Sequence, residues 1–514
     1  MVRFAVLVLA GLIAPKVKAQ APYAIGWQAS YGGSSIDVAH GVVEAPGGYI
    51  VLGHTGSSDG HVTGFQGQRD VWLVRLDESG GLLWQRAYGG TGVDRAYGIG
   101  AMQDGGFAFV GESYSSNGDL TGNQGANDAW VVKLNEMGLI SWQRSFGGAG
   151  WDVANAVVEA GNGDLFVVGE TRSTGGDVSG QHGDGTTGDF WVLRLTPEGQ
   201  IIWQRALGGM QNEIAWGICV LPDDGVIVVG ESNSQDGDVV GSHGIKDGWV
   251  CRLSAAGDLL WSRAVGGSLE DMLYGVSPLA DGGALMVGET RSNDGDVYGG
   301  HGGYDAWVVR LSSTGGVVWQ RTLGGTQNDR FNAICTVGNG LFLLAGSTLS
   351  SNGNPSMFHG SEDCWVLMMN DAGAILGERC YGGSQSERAF AIAAPASGGA
   401  IFAGQSTSVD GDATQNQGVT DFWVVRLEDY SGYLENAVGL VRLFPNPASD
   451  RVRVSLPNTR RAEVLVHDAQ GRLMLATMLG GPEAWLHVRG LSPGAYHVRI
   501  VAEGISRSEV LLVE

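Results

Sequence analysis

Basic side chains are scarce in this chain. Lys and Arg total 31 against 54 Asp and Glu, which leaves a formal net charge of −23 over 514 residues. Arg3, Lys16 and Lys18 make the N-terminus positive, and nine Arg against seven Asp and Glu make residues 442–514 positive, so the excess acid sits on the middle of the chain. Nucleic acid and anionic membrane surfaces rely on Lys and Arg for neutralisation, and an acidic surface of this size disfavours both as partners. Long apolar runs are missing too. Phe4–Ala14 has eleven residues, whereas a bilayer core needs roughly 20, so the sequence offers no transmembrane segment. It also lacks a Gly-x-Ser-x-Gly elbow, a His-Glu-x-x-His pair and a Gly-rich phosphate loop after a strand, which weighs against an enzyme. Cysteines number only five.

What the chain has in quantity is glycine, 86 residues, and the glycines recur at fixed places. The stretch Asp305–Ile334, DAWVVRLSSTGGVVWQRTLGGTQNDRFNAI, returns in close variants over more than four hundred residues. An Asp-x-Trp step falls at Asp70, Asp128, Asp189, Asp247, Asp305, Asp363 and Asp421, 58 residues apart with one interval of 61. A second anchor, Trp-Gln-Arg-x-x-Gly-Gly or a variant, begins at Trp27, Trp84, Trp142, Trp203, Trp261 and Trp319, and at Gly377 with the Trp lost.

Each unit reads as four short strands, a to d. In the second copy they are Asp94–Met102, Phe107–Ser113, Asp128–Leu134 and the run Leu139–Gly148. Short Val-rich and aromatic runs bounded by Gly, Asn and Asp are strand signals, and no helix is expected in this region. Four strands per repeat of this length predict a β-propeller, whose packed blades bury both faces of the middle strands. The chain enters on a lone strand d, Ile25–Gly33, and its last repeat stops after strand c, Asp421–Leu427. Pairing these two ends in one blade removes exposed edges. The expectation is an all-β chain: a seven-bladed β-propeller closed by the N-terminal strand, then a small C-terminal Ig-like β-sandwich. The expected boundaries are a cleaved signal peptide at 1–19, the propeller at 20–429, a linker at 430–441 and the sandwich at 442–514. Arg3, the apolar run and Val17-Lys18-Ala19 carry the signal-peptide reading.

Candidate functional residues come from positions that vary between copies. Three residues after the acidic start of strand a lie His40, Tyr97, Asn155, Trp216, Tyr274, Asn332 and Phe390. Strand a is innermost in a propeller, so Tyr97, Trp216, Tyr274 and Phe390 are candidate ligand-binding residues at a channel mouth, beside the acidic row Asp94, Glu213, Asp271 and Glu387; the other reading makes them wedges between blades. Asp236, Asp238, Asp294 and Asp296, in loops of the form Asp-Gly-Asp, are candidates for calcium, although Asp in such loops also makes turns with its own backbone. His182, His243, His301 and His359 alternate with Gln66, Gln124 and Gln417 at one repeat position, which asks for a hydrogen-bonding side chain rather than a metal ligand. Matching the apolar faces of strands c and d sets Met369 opposite Ile375 and Cys364 opposite Cys380, within reach of a disulfide. The remaining cysteines read as small buried side chains.

The C-terminal segment contains Phe444-Pro445-Asn446-Pro447, a turn at Asp468–Gly471, the step Leu491-Ser492-Pro493-Gly494-Ala495-Tyr496 and a terminal apolar strand. With these motifs in order, residues 442–514 resemble the type A C-terminal sorting domain of cargo of the Bacteroidota type IX secretion system. The resemblance implies export through the periplasm, handling by the type IX secretion machinery, and release or attachment at the outer cell surface. The expected function is a secreted or surface-displayed binding or adhesion module, with a glycan or peptide as ligand. The alternatives are a secreted polysaccharide- or peptide-processing enzyme with its site at the channel mouth, and a passive structural surface protein.

Overall fold

The computed structural model describes residues 24–428 and, further on, 442–444, 448–455, 461–468, 472–480, 483–502 and 505–513. The expected signal peptide and linker, Pro445–Pro447 and the turn residues Ala469–Gly471 lie outside these residues. Internal contacts divide the chain into a repeat unit ending at Glu428 and a C-terminal unit.

The repeat unit is all-β, with seven four-stranded antiparallel sheets among the described residues. In one of them Asp94–Ala101, Phe107–Ser113, Asp128–Leu134 and Ile140–Phe146 pair in sequence order. The N-terminal strand Ile25–Tyr31 pairs with Asp421–Leu427, completing the sheet of Ala400–Ser406 and Glu387–Ala393. The a strands touch in cyclic order, from Asp37–Ala45 to Asp94–Ala101 and onward to Glu387–Ala393, which touches Asp37–Ala45 again. Apolar clusters lie between neighbouring sheets. Leu52 and Leu73 pack with Phe109 and Trp130, and Val51 and Trp72 pack with Ala403 and Phe422 of the last repeat. With both faces covered, strands b and c are apolar at nearly every position.

The seven strand-c tryptophans are fully buried. The indole N–H donates to a strand-d side chain: Trp72 to Gln85 at 2.7 Å, Trp191 to Gln204 at 2.9 Å, Trp365 to Glu378 at 3.0 Å and Trp423 to Gln28 at 3.0 Å. Ser262 stands at that position in the fourth repeat, and the Trp249 Nε1 has no partner among the described residues. The strand-d tryptophans act between sheets. Trp142 and Trp203 donate to the carbonyls of Pro197 and Ala255 in the next repeat's c–d turn, at 2.8 and 3.0 Å. A glycine of that turn lies on the ring: φ is +78° at Gly199, and a Cβ there would come within 2.8 Å of Trp142. Gly377 replaces this Trp in the one repeat whose neighbour has no c–d turn, because that neighbour's strand d is the N-terminal strand.

The expected Cys364–Cys380 disulfide is corrected by the register. Met369 does face Ile375, but Leu376 is bulged, so Met368 pairs with Gly377, Trp365 with Cys380 and Cys364 with Tyr381. One extra residue turns the two thiols to opposite faces of the sheet, and both are free. Cys219 is buried, and burial pushes its thiol up to about 12.

The C-terminal unit has a three-stranded sheet, Arg442–Phe444, Arg451–Ser455 and Glu483–His487, and a four-stranded sheet ordered Leu473–Gly480, Arg461–His467, Gly494–Ala502, Ile505–Val513. Val452, Val454 and Leu486 from the first share a core with Val464, Val498, Ile500 and Leu511 from the second. The Tyr496 hydroxyl donates to the Ser492 carbonyl at 2.7 Å, which fixes the Ser-Pro-Gly-Ala-Tyr step.

Ser262→Gln supplies the acceptor that Trp249 lacks. It exchanges the bond of the Ser262 hydroxyl to the Asp238 carbonyl for a filled, fully buried Trp249 N–H, and is expected to stabilise the repeat unit by at most about 1 kcal/mol, measured as a rise in the urea midpoint at constant slope. An unchanged or lower midpoint contradicts it.

Candidate functional site

Every strand a begins with a buried carboxylate. Asp94 is fully buried, and its Oδ2 accepts the Gly90 N–H at 2.8 Å and the Ser115 hydroxyl at 2.8 Å, while Oδ1 accepts the Ser113 hydroxyl. Asp271 does the same with Gly267, Ser292 and Thr290, and Glu213 with Gly209 and Ser232. Glu387 takes the Gly383 N–H at 2.8 Å and the Ser406 hydroxyl at 2.9 Å. The acidic row Asp94, Glu213, Asp271 and Glu387 is therefore buried scaffold, not part of a ligand surface: its acceptors are filled by the Gly-Gly corner and the end of strand b.

Three residues on, each variable strand-a position is the extra residue of a β-bulge, as at Tyr97 between Ala96 and Gly98. The bulge brings strand a against strand b. A Cβ at Gly111 would overlap the Arg95 carbonyl oxygen, which is why strand b carries glycine there. The structure gathers the candidate aromatics into two groups. His40 lies 5.5 Å from Tyr97 and 5.2 Å from Phe390 between ring centroids, and Trp216 lies 6.1 Å from Tyr274. Asn155 and Asn332 donate to the carbonyls of Ala215 and Ala389 in the following sheets, both at 2.8 Å. Burial, then the Arg95 charge, pushes His40 down to about 4 and keeps it neutral. The hydroxyls of Tyr97 and Tyr274 point to glutamates, Glu112 at 2.8 Å and Glu289 at 2.7 Å.

Those glutamates lead to residues that the sequence reading passed over. The strand-b position after the glycine is His54, Glu112, Glu170, Glu231, Glu289, Ser347 and Gln405; the second residue of strand a is Val38, Arg95, Val153, Ile214, Met272, Arg330 and Arg388. Together with the residue before each strand-c Asp, they form a network of charges that differ from repeat to repeat. Glu112 is saturated: Arg95 reaches it at 2.9 Å, Tyr97 at 2.8 Å, Asn127 at 2.9 Å and Trp151 at 3.3 Å. Elsewhere Arg172 pairs with Glu170 at 2.7 Å, Lys246 with Glu231 at 2.7 Å and Arg388 with Glu362 at 2.7 Å. Aligning the seven copies column by column exposes these positions, since scaffold columns repeat and these do not.

The calcium candidates hold loops. Asp236 accepts the Met210 N–H at 2.9 Å, Asp294 the Ser268 N–H at 2.7 Å and Asp238 the Gly208 N–H at 3.3 Å, while Asp296 pairs with Arg263 at 3.3 Å. Among the described residues no three His, Cys, Asp or Glu side chains converge as a metal ion requires. His182, His301 and His359 bond the strand-c Asp of their own repeat, at 2.8, 3.0 and 2.9 Å.

Residues 442–514 match the family described as Secretion system C-terminal sorting domain. The chain is thus cargo exported to the cell surface or the extracellular space, handled by type IX secretion machinery. It is 23% identical over 356 residues to the Regulatory protein FlaEY of Caulobacter vibrioides, a match that covers 61% of this chain and about a third, 36%, of that one. Among solved structures it is similar to PorZ, a surface component of the type-IX secretion system of Porphyromonas gingivalis, with 14% identity over 94% of this chain and 53% of PorZ and a TM-score of 0.32. The Pan2 WD40 domain of Neurospora crassa matches 64% of this chain over 88% of its own length, with 10% identity and a TM-score of 0.33.

Each strand-c Asp also sits at a junction between sheets. Asp70 Oδ2 accepts the Gln66 N–H at 2.6 Å, whereas its buried Oδ1 has no partner among the described residues. A Cβ at Gly89 would lie 2.7 Å from Asp94 Oδ2 and 2.9 Å from Asp70 Oδ1, so two carboxylates share the space that glycine leaves. Burial, with Asp94 adding to it, pushes Asp70 up to about 7; Asp128 and Asp421 rise to about 6. A carboxyl that binds its proton more tightly folded than unfolded contributes stability that is complete below its unfolded value and is lost as pH rises through its folded value. Asp70→Asn imitates the protonated form, so it is expected to match the wild-type Tm near about pH 3, below the unfolded Asp value, and to exceed it near about pH 8. An equal loss of Tm at both values, read by scanning calorimetry, contradicts this.

Proposed function

We propose that the chain is a surface-displayed binding or adhesion module: a seven-bladed β-propeller closed by its N-terminal strand, delivered by the type IX route and presenting a ligand surface at one mouth of its central channel. In this reading residues 1–19 are a cleaved signal peptide, 20–429 the propeller, 430–441 a linker and 442–514 an Ig-like sorting sandwich. The pairing of Ile25–Tyr31 with Asp421–Leu427 and the cyclic contact of the a strands support the closure.

The binding role rests on the division between columns that repeat and columns that do not. Packing and loop stapling need the same residue in every blade, while recognition of a ligand without sevenfold symmetry needs differences between blades. The differences concentrate at the start of strands a and c and the end of strand b, where Glu112, Glu170, Glu231, Glu289, Arg330, Glu362 and Arg388 lie. Polar groups that converge on one opening are the usual form of a binding site. Tyr97 and Tyr274 in strand a donate to Glu112 and Glu289 of this set, and Trp216 and Phe390 hold the same strand-a position in other repeats. The ligand we favour is a glycan or a peptide.

Deletion of residues 442–514 tests the delivery half of this reading. The repeat unit is expected to remain folded and to accumulate in the periplasm, as followed by fractionation and protease resistance. Truncated protein in the medium at the normal level would contradict it.

A further inference from the structure

A cavity of about 240 Å³ opens among Glu289, Tyr304, Arg330, Leu349, Glu362 and Arg388. Its polar groups differ from those of the opposite part of the network, where four donors saturate Glu112. Glu362 is nine-tenths or more buried; its Oε2 accepts from Arg388 Nε at 2.7 Å and from the Ser386 hydroxyl at 3.0 Å. Its Oε1 has no hydrogen-bond partner among the described residues, and Arg330 Nη2, the cation beside it, stands 3.7 Å away. Arg330 spends its Nε on the Ser347 hydroxyl at 3.4 Å, and the outer nitrogens of both guanidinium groups make no hydrogen bond among the described residues.

The cavity therefore asks for acceptors at two guanidinium forks and a donor at one buried carboxylate oxygen, across a space that Leu349 and Tyr304 also line. Neighbouring hydroxyls on a ring answer this demand, since each hydroxyl both donates and accepts. Arg330 and Arg388 face Glu289, Glu362 and Asp329, whose own oxygens are already taken by Gly325, Thr348 and Ser350, so a neutral ligand enters without adding a charge to the buried set. We propose that this cavity is a carbohydrate subsite that takes one hexose-sized ring at a chain end, with adjacent hydroxyls accepting from Arg330 and Arg388 and donating to Glu362. This rests on the reading of the mouth as a binding surface.

Saturation-transfer NMR on the full chain tests it, with glucose, galactose, mannose and N-acetylglucosamine as probes and glycine as the zwitterionic control. Transfer to at least one sugar and not to glycine is expected. Leu349→Trp, which fills the cavity without touching its ion pairs, is expected to weaken that sugar by about tenfold or more at unchanged Tm, and Arg388→Met by as much with a lowered Tm, since it strips Glu362 of its partner. Should Arg388→Met fail to fold, Leu349→Trp decides alone. Transfer to none of the four sugars, binding unchanged in Leu349→Trp, or transfer to glycine instead overturns the subsite. A glycan-array signal that survives both substitutions overturns the subsite while leaving the binding-module reading in place, whereas a blank array and no protein ligand overturn both.

Discussion

A carboxylate buried at the first residue of strand a is the contact on which the rest of the repeat unit depends. Isolated in an apolar interior, such a charge would be strongly destabilising. Here the backbone N–H of the second glycine of the corner, a hydroxyl at the end of strand b and a serine two residues later fill its acceptors, as around Asp271. One side chain thereby ties the chain's entry into a sheet to the hairpin that leaves it. The first glycine of the corner follows from the same geometry, because any Cβ at Gly89 would meet Asp94 and Asp70 together. Charge-assisted hydrogen bonds of this kind are about twice as strong as neutral ones, which explains why the corner tolerates no third residue type at its centre.

Repetition also accounts for where the pattern fails. The strand-d tryptophan is absent only at Gly377, facing the one sheet without a c–d turn, so the missing indole follows from how the chain ends meet. Ser262 leaves Trp249 without an acceptor, and there the long loop of the same repeat has closed over the strand, with the Ala264 N–H donating to the Val240 carbonyl at 2.7 Å. The network of Glu112, Glu289, Arg330, Glu362 and Arg388 is a third kind of failure, one with no packing cause.

The strands were legible because their periodicity and glycine punctuation agree: Phe107–Ser113 and Asp128–Leu134 stand where the sequence put them. The pairing of the chain ends followed from counting anchors. Register was not legible. The bulge at Leu376 has no signal in composition, and it separates Cys364 from Cys380. The bulge at each variable strand-a position was equally silent, although the glycine opposite it in strand b marked a close approach. The acidic row was misplaced because an Asp at a strand start reads alike whether it faces solvent or two hydroxyls and an amide. The charged network was not legible because no one column carries it: it takes several columns from neighbouring repeats, brought together by the cyclic contact of the a strands.

Amide hydrogen exchange at the second glycine of the corners, Gly33, Gly90, Gly148, Gly209, Gly267, Gly325 and Gly383, tests the central claim most directly. These glycines lie in connections between sheets, where amides ordinarily exchange through local fluctuation. If the buried carboxylates hold the fold as described, they exchange only through global opening, as slowly as the strand-b amides of Phe109 and Val287. Exchange at the rate of an exposed loop while strand b remains protected would contradict the account.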